Sequence, residues 1–189
     1  MKSKKCKACR SAFTPSKPLQ SACCVECALQ LARLAREKKD KAAMATERKA
    51  DAAKREKLKT KGDYLKEAQA TFNLYIRTRD RIAGHSCISS GRPLEWSANA
   101  VDAGHYRSRG SAPHLRFDER NCHAQSKQEN RYASGNATGY RVGLIQRIGL
   151  VAVEELELDQ EPRRYTIDDL KEIKRTYAAK TRELIKNFP

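Results

Sequence analysis

The clearest hydrophobic pattern is a helical stripe in the middle of the chain. Between Gly62, which interrupts a preceding helical segment, and about Arg81, apolar residues recur at spacings of three and four. Asp63 can cap the start of this helix. This spacing puts the apolar side chains on one face, so the helix is predicted to pack on the central core. The stripe consists of Leu65, Ala68, Phe72, Tyr75 and Ile76.

Apolar residues in the last third of the chain also predict helices. The stretch GYRVGLIQRIGLVAVEELE is typical of one helix with an imperfect apolar face, and Pro162 separates it from a second helix. Thr166 and Asp169 form a capping-box pair at the start of this second helix. We expect both helices to serve packing. The second stripe consists of Ile167, Leu170, Ile173, Tyr177 and Leu184.

The segment from about Ala28 to Lys61 lacks such a stripe. It contains no Gly or Pro, it is rich in Ala, Lys, Arg and Glu, and most of its apolar residues are alanine. High helix propensity without a burial face predicts a single long, solvated, basic helix. Two roles remain open for it: binding along phosphates, or spacing two modules.

Between Ala83 and Asn136 the chain is rich in Gly, Pro, Ser and Asn. Short apolar patches around Cys87–Ile88, Val101–Ala103 and Leu115–Phe117 predict two or three short strands. This segment holds all 4 histidines of the chain, so any chemistry is expected here.

The composition of the chain predicts the kind of partner and the compartment of the protein. The 39% apolar and 33% charged residues predict a small core with extended, solvated parts, and the fold class is α+β, mainly helical. A net charge of +16 favours a polyanion, and we expect DNA. Apolar runs are too short for a membrane span, and no signal-peptide core follows Met1, so a cytoplasmic protein without a membrane partner is predicted.

Five cysteines near the amino terminus indicate a metal site. A reducing compartment and their spacing in two close pairs favour zinc thiolates over disulfides. Cys6, Cys9, Cys23 and Cys27 are the preferred tetrahedral ligands of a structural zinc ion, with Cys24 as the alternative for one position.

The stretch DAGHYRSRGSAPHLRFDERNCH suggests a catalytic site. A strand, a basic loop, a second strand and a short helix bearing Asn is the order of a small ββα-metal, or HNH-like, nuclease core. In that plan His105 is the general base, Asn121 braces the loop and Asn130 is a helix ligand to a metal ion. Asp102 can supply a further oxygen ligand, and this oxygen-rich set favours Mg²⁺ or Mn²⁺.

Four other side chains are assigned to the surroundings of this site. His123 is predicted to be a phosphate-facing or supporting group. Arg107, Arg109 and Arg116 are predicted to bind DNA phosphates, with selectivity for branches arising from shape.

The chain is thus predicted to contain four parts. These are a zinc knuckle at 1–27, a long basic helix or linker at 28–61, an HNH-like core with its preceding helix at 62–136, and a helical segment at 137–189.

Several motifs resemble the NinG (Rap) recombination proteins of lambdoid bacteriophages. They include DYLKEAQATFNLYIRTRD, DAGHYRSRGSAPHLRFDERNCHAQ, ENRYASGN and YTIDDLKEIK, together with the amino-terminal cysteines. The resemblance implies a recombination endonuclease that cuts branched DNA, such as D-loops and Holliday junctions, in the infected host's cytoplasm. A homodimer and phage or host recombination proteins are further candidate partners.

The chain departs from the family in one place. The resemblance implies a second zinc knuckle, made of two cysteine pairs, that frames the nuclease motif in family members. Here its two cysteine pairs read CISS and SKQE, leaving Cys87, Ser90, Ser126 and Glu129. Serine is a poor zinc ligand, so the second zinc is predicted to be absent. The alternative function is therefore a non-catalytic, zinc-containing DNA-binding or annealing protein with a degenerate nuclease motif.

Overall fold

The computed structural model describes residues 2–97 and 99–188 and divides the chain into two compact units, Met1–Lys59 and Thr60–Pro189. Within the described ranges there are five α-helices and two small two-stranded sheets, which confirms the mainly helical α+β class. No helix in these ranges is long and apolar enough to cross a membrane.

The first unit is a small hairpin followed by a long helix. Strands β1 (Lys4–Lys5) and β2 (Ala12–Phe13) pair antiparallel, and the cysteine loops lead into α1 (Val25–Leu58). Helix α1 has no buried residue, as its lack of an apolar stripe predicts. It begins three residues earlier than Ala28, because Cys24 accepts a hydrogen bond from the backbone of Cys27 and caps the helix.

Helix α2 (Lys61–Ile82) opens the second unit, and its cap differs from the prediction. Thr60 Oγ1 accepts a hydrogen bond from the Asp63 backbone at 3.3 Å, and the Thr60 backbone donates to Asp63 Oδ2 at 2.9 Å. This capping box makes Thr60 the cap and Asp63 its partner. The preceding helix, α1, ends at Leu58, and Gly62 lies within the first turn of α2. The predictions that Gly62 interrupts the preceding helix and that Asp63 caps the next one are therefore wrong.

The main core forms where α2 packs on α5 (Ile167–Asn187). The rings of Phe72 and Tyr177 meet edge to face with centroids 4.8 Å apart. Both predicted stripes are confirmed, with Ile167 as an exposed exception, and so is the capping box of Thr166 and Asp169. The cluster consists of Ala68, Phe72, Tyr75, Ile76, Ala103, Phe117, Cys122, Leu170 and Tyr177.

A β-hairpin packs against this core. Strand β3 (Val101–His105) pairs antiparallel with β4 (Cys122–Ser126), with Val101 opposite Ser126 and His105 opposite Cys122. The strand predicted at Val101–Ala103 is confirmed. Those predicted at Cys87–Ile88 and Leu115–Phe117 are wrong, because the first patch lies at a turn and the second begins in a 3-10 turn, Pro113–Leu115, and continues as a turn.

Two helices follow where the sequence predicts one. Helices α3 (Ala137–Ile148) and α4 (Leu150–Leu158) are separated by Gly149, whose φ of 85° is a left-handed conformation that favours glycine. Because the chain turns at Gly149, both helices can bury apolar residues in a second cluster. Its members are Ile88, Ala112, Leu115, Tyr140, Leu144, Val153 and Leu156.

Candidate functional site

The amino-terminal cysteines form one cluster. The sulfur atoms of Cys6, Cys9, Cys23 and Cys27 all lie within 4.8 Å of one another. These four thiols can hold a metal ion such as zinc, which prefers a tetrahedral set of thiolates. The Cys24 sulfur instead caps α1, accepting from the Cys27 backbone at 3.5 Å.

Backbone turns position these thiols. The Cys6 backbone N–H donates to the Ser11 carbonyl at 2.9 Å, and the Arg10 N–H donates to the Cys6 carbonyl at 2.9 Å, with Arg10 at a φ of 62°. The Cys23 N–H points at Cys6 Sγ, 3.4 Å away. The backbone N–H of Cys9 is the main reason that the pKa of the Cys6 thiol falls to about 6, which favours the thiolate that zinc requires.

His105 ends strand β3 and is half-buried. Its Nε2 lies 3.0 Å from the Arg116 carbonyl, so Nε2–H donates and Nδ1 carries no proton. Nδ1 lies 3.6 Å from Cys122 Sγ. Burial, followed by the charges of Arg109 and Arg116, lowers the pKa of His105 to about 4. The imidazole is therefore neutral at physiological pH.

Asn121 braces the loop that joins the two strands. Its Oδ1 accepts from the Arg107 backbone at 2.8 Å, while Nδ2 donates to the carbonyls of Arg107 and Leu115 at 3.0 and 3.2 Å. The side chain is completely buried. Because these bonds tie both ends of the loop together, Asn121 fixes the carbonyl of Arg116 near His105.

The structure also brings Asp102 and Asn130 together. Asn130 lies on a π-helical turn, Gln128–Tyr132, and its Nδ2 donates to Asp102 Oδ2 at 3.0 Å. Arg131 Nε donates to the same oxygen at 2.8 Å, and Arg131 Nη2 donates to Oδ1 at 3.3 Å. Both carboxylate oxygens of Asp102 therefore already have partners, and Asn130 adds an amide oxygen, which is a hard donor atom.

His105 does not contact this pair in the structure. Residues separated by an odd number of positions on a strand project to opposite faces, so Asp102 and His105 lie on different faces of β3. Among the hydrogen bonds of the described residues, none joins His105 to Asp102 or Asn130. The predicted base and the predicted ligands thus form two neighbouring groups.

The three predicted DNA-binding arginines have different surroundings. The guanidinium of Arg107 donates from Nη1 to the carbonyls of Leu156, Glu157 and Asp159 at 2.9–3.1 Å. It therefore caps the end of α4, and its predicted role at phosphates stays a prediction. Arg109 is exposed, and Arg116 is half-buried, with Nη1 3.3 Å from Gln69 Oε1.

His123 belongs to a buried charge network that the sequence analysis missed. It is 3% exposed and so does not face phosphate, whereas the supporting role, the other predicted alternative, stays a prediction. Its Nε2 lies 3.1 Å from the Arg120 carbonyl, and Nδ1 accepts from Arg79 and Arg147 at 3.0 and 3.3 Å. These contacts fit a neutral imidazole whose pKa is lowered by burial.

Asp80 is the anion at the centre of this network. It is completely buried, accepts from the Ala124 backbone at 2.6 Å and pairs with Arg79 at 2.7 Å and Arg147 at 3.5 Å. Asp80 follows Phe72 and Ile76 at four-residue spacing on the apolar face of α2. A charge in that position was the sequence signal for a buried network.

Removal of this anion is expected to destabilise the protein strongly. Asp80→Ala leaves two arginines without their buried partner, and we expect the free energy of unfolding to fall by about 3–5 kcal/mol. Urea denaturation followed by circular dichroism measures the change. Glu154→Ala, on the exposed face of α4, is the control and should change stability by less than about 0.5 kcal/mol. A loss below about 1 kcal/mol for Asp80→Ala would contradict this account.

The neutral histidines predict a pH dependence of stability. The pKa of His105 is about 4 in the folded chain against an ordinary 6.5, so between these values the unfolded chain binds a proton that the folded chain does not. The free energy of unfolding should therefore fall as pH falls through this window, by about 3 kcal/mol for His105. Denaturation of the wild type and His105→Gln at pH 5 to 7 measures the effect, because the variant should show the shallower slope. Equal slopes would refute the assignment.

Together the fold and the site define a basic, mainly helical α+β protein with a metal-binding cysteine cluster and a histidine-bearing hairpin. The sequence pattern of the bacteriophage lambda NinG protein matches residues 1–187, and the chain belongs to the NinG family. The resemblance seen in the sequence motifs is confirmed at this level.

Individual relatives agree with this assignment. Protein ninG of Escherichia phage 933W is 40% identical over 194 residues, covering 96% of this chain and 93% of the relative. Protein ninG of Salmonella phage P22 is 45% identical over 129 residues, covering 67% of this chain and 60% of the relative. The protein of Escherichia phage lambda is 44% identical over 129 residues, with the same coverage. No solved structure matches the chain.

Proposed function

We propose that this protein is a metal-dependent endonuclease that cleaves branched DNA recombination intermediates, such as D-loops and Holliday junctions. The observation that carries the proposal is the state of His105. Its Nε2–H is held by the Arg116 carbonyl, which leaves Nδ1 as a proton acceptor at the end of a hairpin strand, and the exposed Arg109 of the following loop is a cation that attracts phosphate.

The order of elements supports the same function. A hairpin of β3 and β4, a loop braced by Asn121 and a helical turn bearing Asn130 follow one another as in an HNH-like site. Asn130 is the residue that we propose to hold Mg²⁺ or Mn²⁺, through its amide oxygen. Because Asp102 accepts a hydrogen bond from the Asn130 amide, we propose that Asp102 orients Asn130 and does not itself bind the metal ion, as the sequence suggests it would. The ion would stabilise charge on the phosphate.

The role of His105 is to take a proton from the attacking water. In the structure its proton-free Nδ1 faces Cys122, while Nε2 is held by the Arg116 carbonyl. A half-turn of the ring about Cβ–Cγ would move Nδ1 away from Cys122 and would also release Nε2–H from the Arg116 carbonyl, and our proposal includes this rotation. Of the three arginines predicted to bind DNA, Arg109 is the exposed one and the better candidate to contact the adjacent phosphate.

The second candidate function is DNA binding or annealing without cleavage. It is favoured by the Arg131 guanidinium, which already neutralises Asp102, and by the missing cysteines at Ser90, Ser126 and Glu129. The long basic helix α1 suits either function, because it can lie along the phosphates of a DNA arm.

Incubation with a labelled four-way junction or D-loop separates the two functions. The endonuclease should nick or resolve the branched substrate in Mg²⁺ or Mn²⁺, leave a linear duplex of the same sequence intact, and stop in EDTA. Binding to the junction without any cleavage in either metal would refute the enzyme and leave the binding protein. The sizes of the products, which show whether two strands are cut, and the mass of the protein bound to the junction also test the predicted homodimer.

A further inference from the structure

The loop at Cys87 has the same backbone hydrogen bonds as the first cysteine turn. In the first turn the Cys6 N–H donates to the Ser11 carbonyl and the Arg10 N–H donates back to Cys6, both at 2.9 Å. In the second, the Cys87 N–H donates to the Arg92 carbonyl at 2.9 Å and the Gly91 N–H donates back to Cys87 at 2.8 Å. Arg10 and Gly91, at matching positions, have φ values of 62° and 68°. The two turns therefore have the same backbone conformation.

The segments that pack against these turns also match. Lys7 N–H donates to the Ser21 carbonyl at 2.9 Å, and Ile88 N–H donates to the Ala124 carbonyl at 3.1 Å. Two residues further on, the Cys23 N–H and the Ser126 N–H each point at the sulfur of the paired turn, Cys6 or Cys87, at 3.4 Å. Ser126 thus occupies the position of Cys23.

The donor atoms of the second site do not suit zinc. Ser90 occupies the position of Cys9. Residue count alone would match Cys27 with Asn130, but the Glu129 N–H donates to Ser126 Oγ at 3.3 Å as the Cys27 N–H does to Cys24 Sγ at 3.5 Å, so we place the fourth position at Glu129. One thiol, two hydroxyls and one carboxylate make a poor set for an ion that prefers thiolates and imidazoles. The hydroxyl oxygen of Ser90 is buried and makes no hydrogen bond of standard geometry to any described residue.

Side-chain hydrogen bonds and close packing hold this site instead. Gln125 Nε2 donates to Ser89 Oγ at 2.8 Å. Asn136 Nδ2 donates to Glu129 Oε2 at 2.7 Å, which ties the Asn130 turn to α3. Gly139 and Gly143 of α3 lie directly on the carbonyls of the Cys87 loop, where a Cβ atom would collide. These contacts cross-link the same loops that a metal ion would cross-link.

From this internal correspondence we infer that residues 87–92 and 124–129 form a second knuckle frame, in which hydrogen bonds replace the metal. Cysteines introduced at positions 90, 126 and 129 should therefore convert this frame into a zinc site. The inference rests on the match between two parts of one chain and is independent of the proposed nuclease activity. It assigns the frame a purely structural role in the wild type, next to the turn that carries Asn130.

The test is the zinc content of the full chain. Wild type should contain about one zinc ion, and the variant Ser90→Cys/Ser126→Cys/Glu129→Cys should contain about two. Replacement by Co²⁺ should roughly double the intensity of the thiolate-to-cobalt absorption, since four thiolates are added to four. The control Ser108→Cys/Glu154→Cys/Glu183→Cys adds the same number of thiols at exposed positions and should remain at about one zinc ion.

Each remaining outcome also decides the inference. A folded triple variant with one zinc ion overturns it, as does an equal gain of zinc in the control. If the triple variant does not fold, Ser90→Cys/Ser126→Cys supplies three thiolates with Glu129, and failure of this variant to bind a second zinc ion overturns the inference too. In wild type, the Ile88 and Ser126 amides should stay protected from hydrogen exchange in excess zinc chelator, and loss of protection would show that a metal holds the frame.

Discussion

Replacement of His105 by glutamine is expected to lower the rate of four-way-junction cleavage by about 10²–10⁴-fold, the usual contribution of a general base. Glutamine retains an N–H that can donate to the Arg116 carbonyl, as Nε2 of His105 does, but it cannot accept a proton from water near neutral pH. The variant therefore removes the base while keeping the local hydrogen bond. Single-turnover cleavage at saturating protein measures the chemical step separately from binding.

Two controls distinguish a lost base from a damaged fold. His85→Ala removes a histidine outside the hairpin and should cleave at the wild-type rate. The junction affinity of His105→Gln should stay within about threefold of wild type, because no phosphate-binding cation is removed. A cleavage rate within tenfold of wild type would refute His105 as the base.

The helices were the most predictable part of the fold. Helices α2 and α5 each combine a periodic apolar face with a threonine cap, and these local signals agree with the packing. The division at Gly149 was missed because the apolar residues on both sides continue at helical spacing. Only the need to bury Val153 and Leu156 against α3 turns the chain there.

Strand β4 shows why the hairpin could be predicted only in part. Four of its five residues are buried, so it lacks the alternation of polar and apolar residues that marks a strand with one exposed face. Its His123 and Gln125 are polar residues that find buried partners in α2, α3 and neighbouring loops. Such long-range partners leave no local pattern in the sequence.

The candidate site shows the same limit. The residues were selected by type and order along the chain, and in the structure Asp102 lies beside Asn130 and Asn121 lies on the loop, while their predicted roles stay predictions. Strand alternation already implied that Asp102 and His105 face apart, but it could not reveal that Arg131 neutralises Asp102. Nor could it show that Arg107 is used to cap α4, because that contact joins residues far apart in sequence.

The other large expected effect is the loss of the amino-terminal fold when one zinc ligand is removed. Cys23→Ser should reduce bound zinc from about one ion per chain to nearly none, because structural zinc sites in small modules supply roughly 10–16 kcal/mol of apparent binding energy. The module has little else to hold it, because the buried residues among its described residues are Cys6, Pro15 and Ala22. Its hairpin pairs only two residues per strand. Metal analysis and amide hydrogen exchange at Cys6 and Arg10 measure the loss.

The neighbouring residue gives a matched control for this experiment. Cys24→Ser changes the same atom one position away, but Cys24 caps α1 and serine is itself a favoured cap, so zinc content and exchange protection should both stay at wild-type values. The second unit has its own two apolar clusters and should unfold at an unchanged urea concentration in both variants. If Cys24→Ser lost the zinc and Cys23→Ser kept it, the ligand set would have to include Cys24. If both variants kept it, Cys23 and Cys24 would be interchangeable as ligands. If Cys23→Ser lost the zinc but kept its exchange protection at Cys6 and Arg10, the turn at Cys6 would be stable without a metal, as the frame at Cys87 is proposed to be.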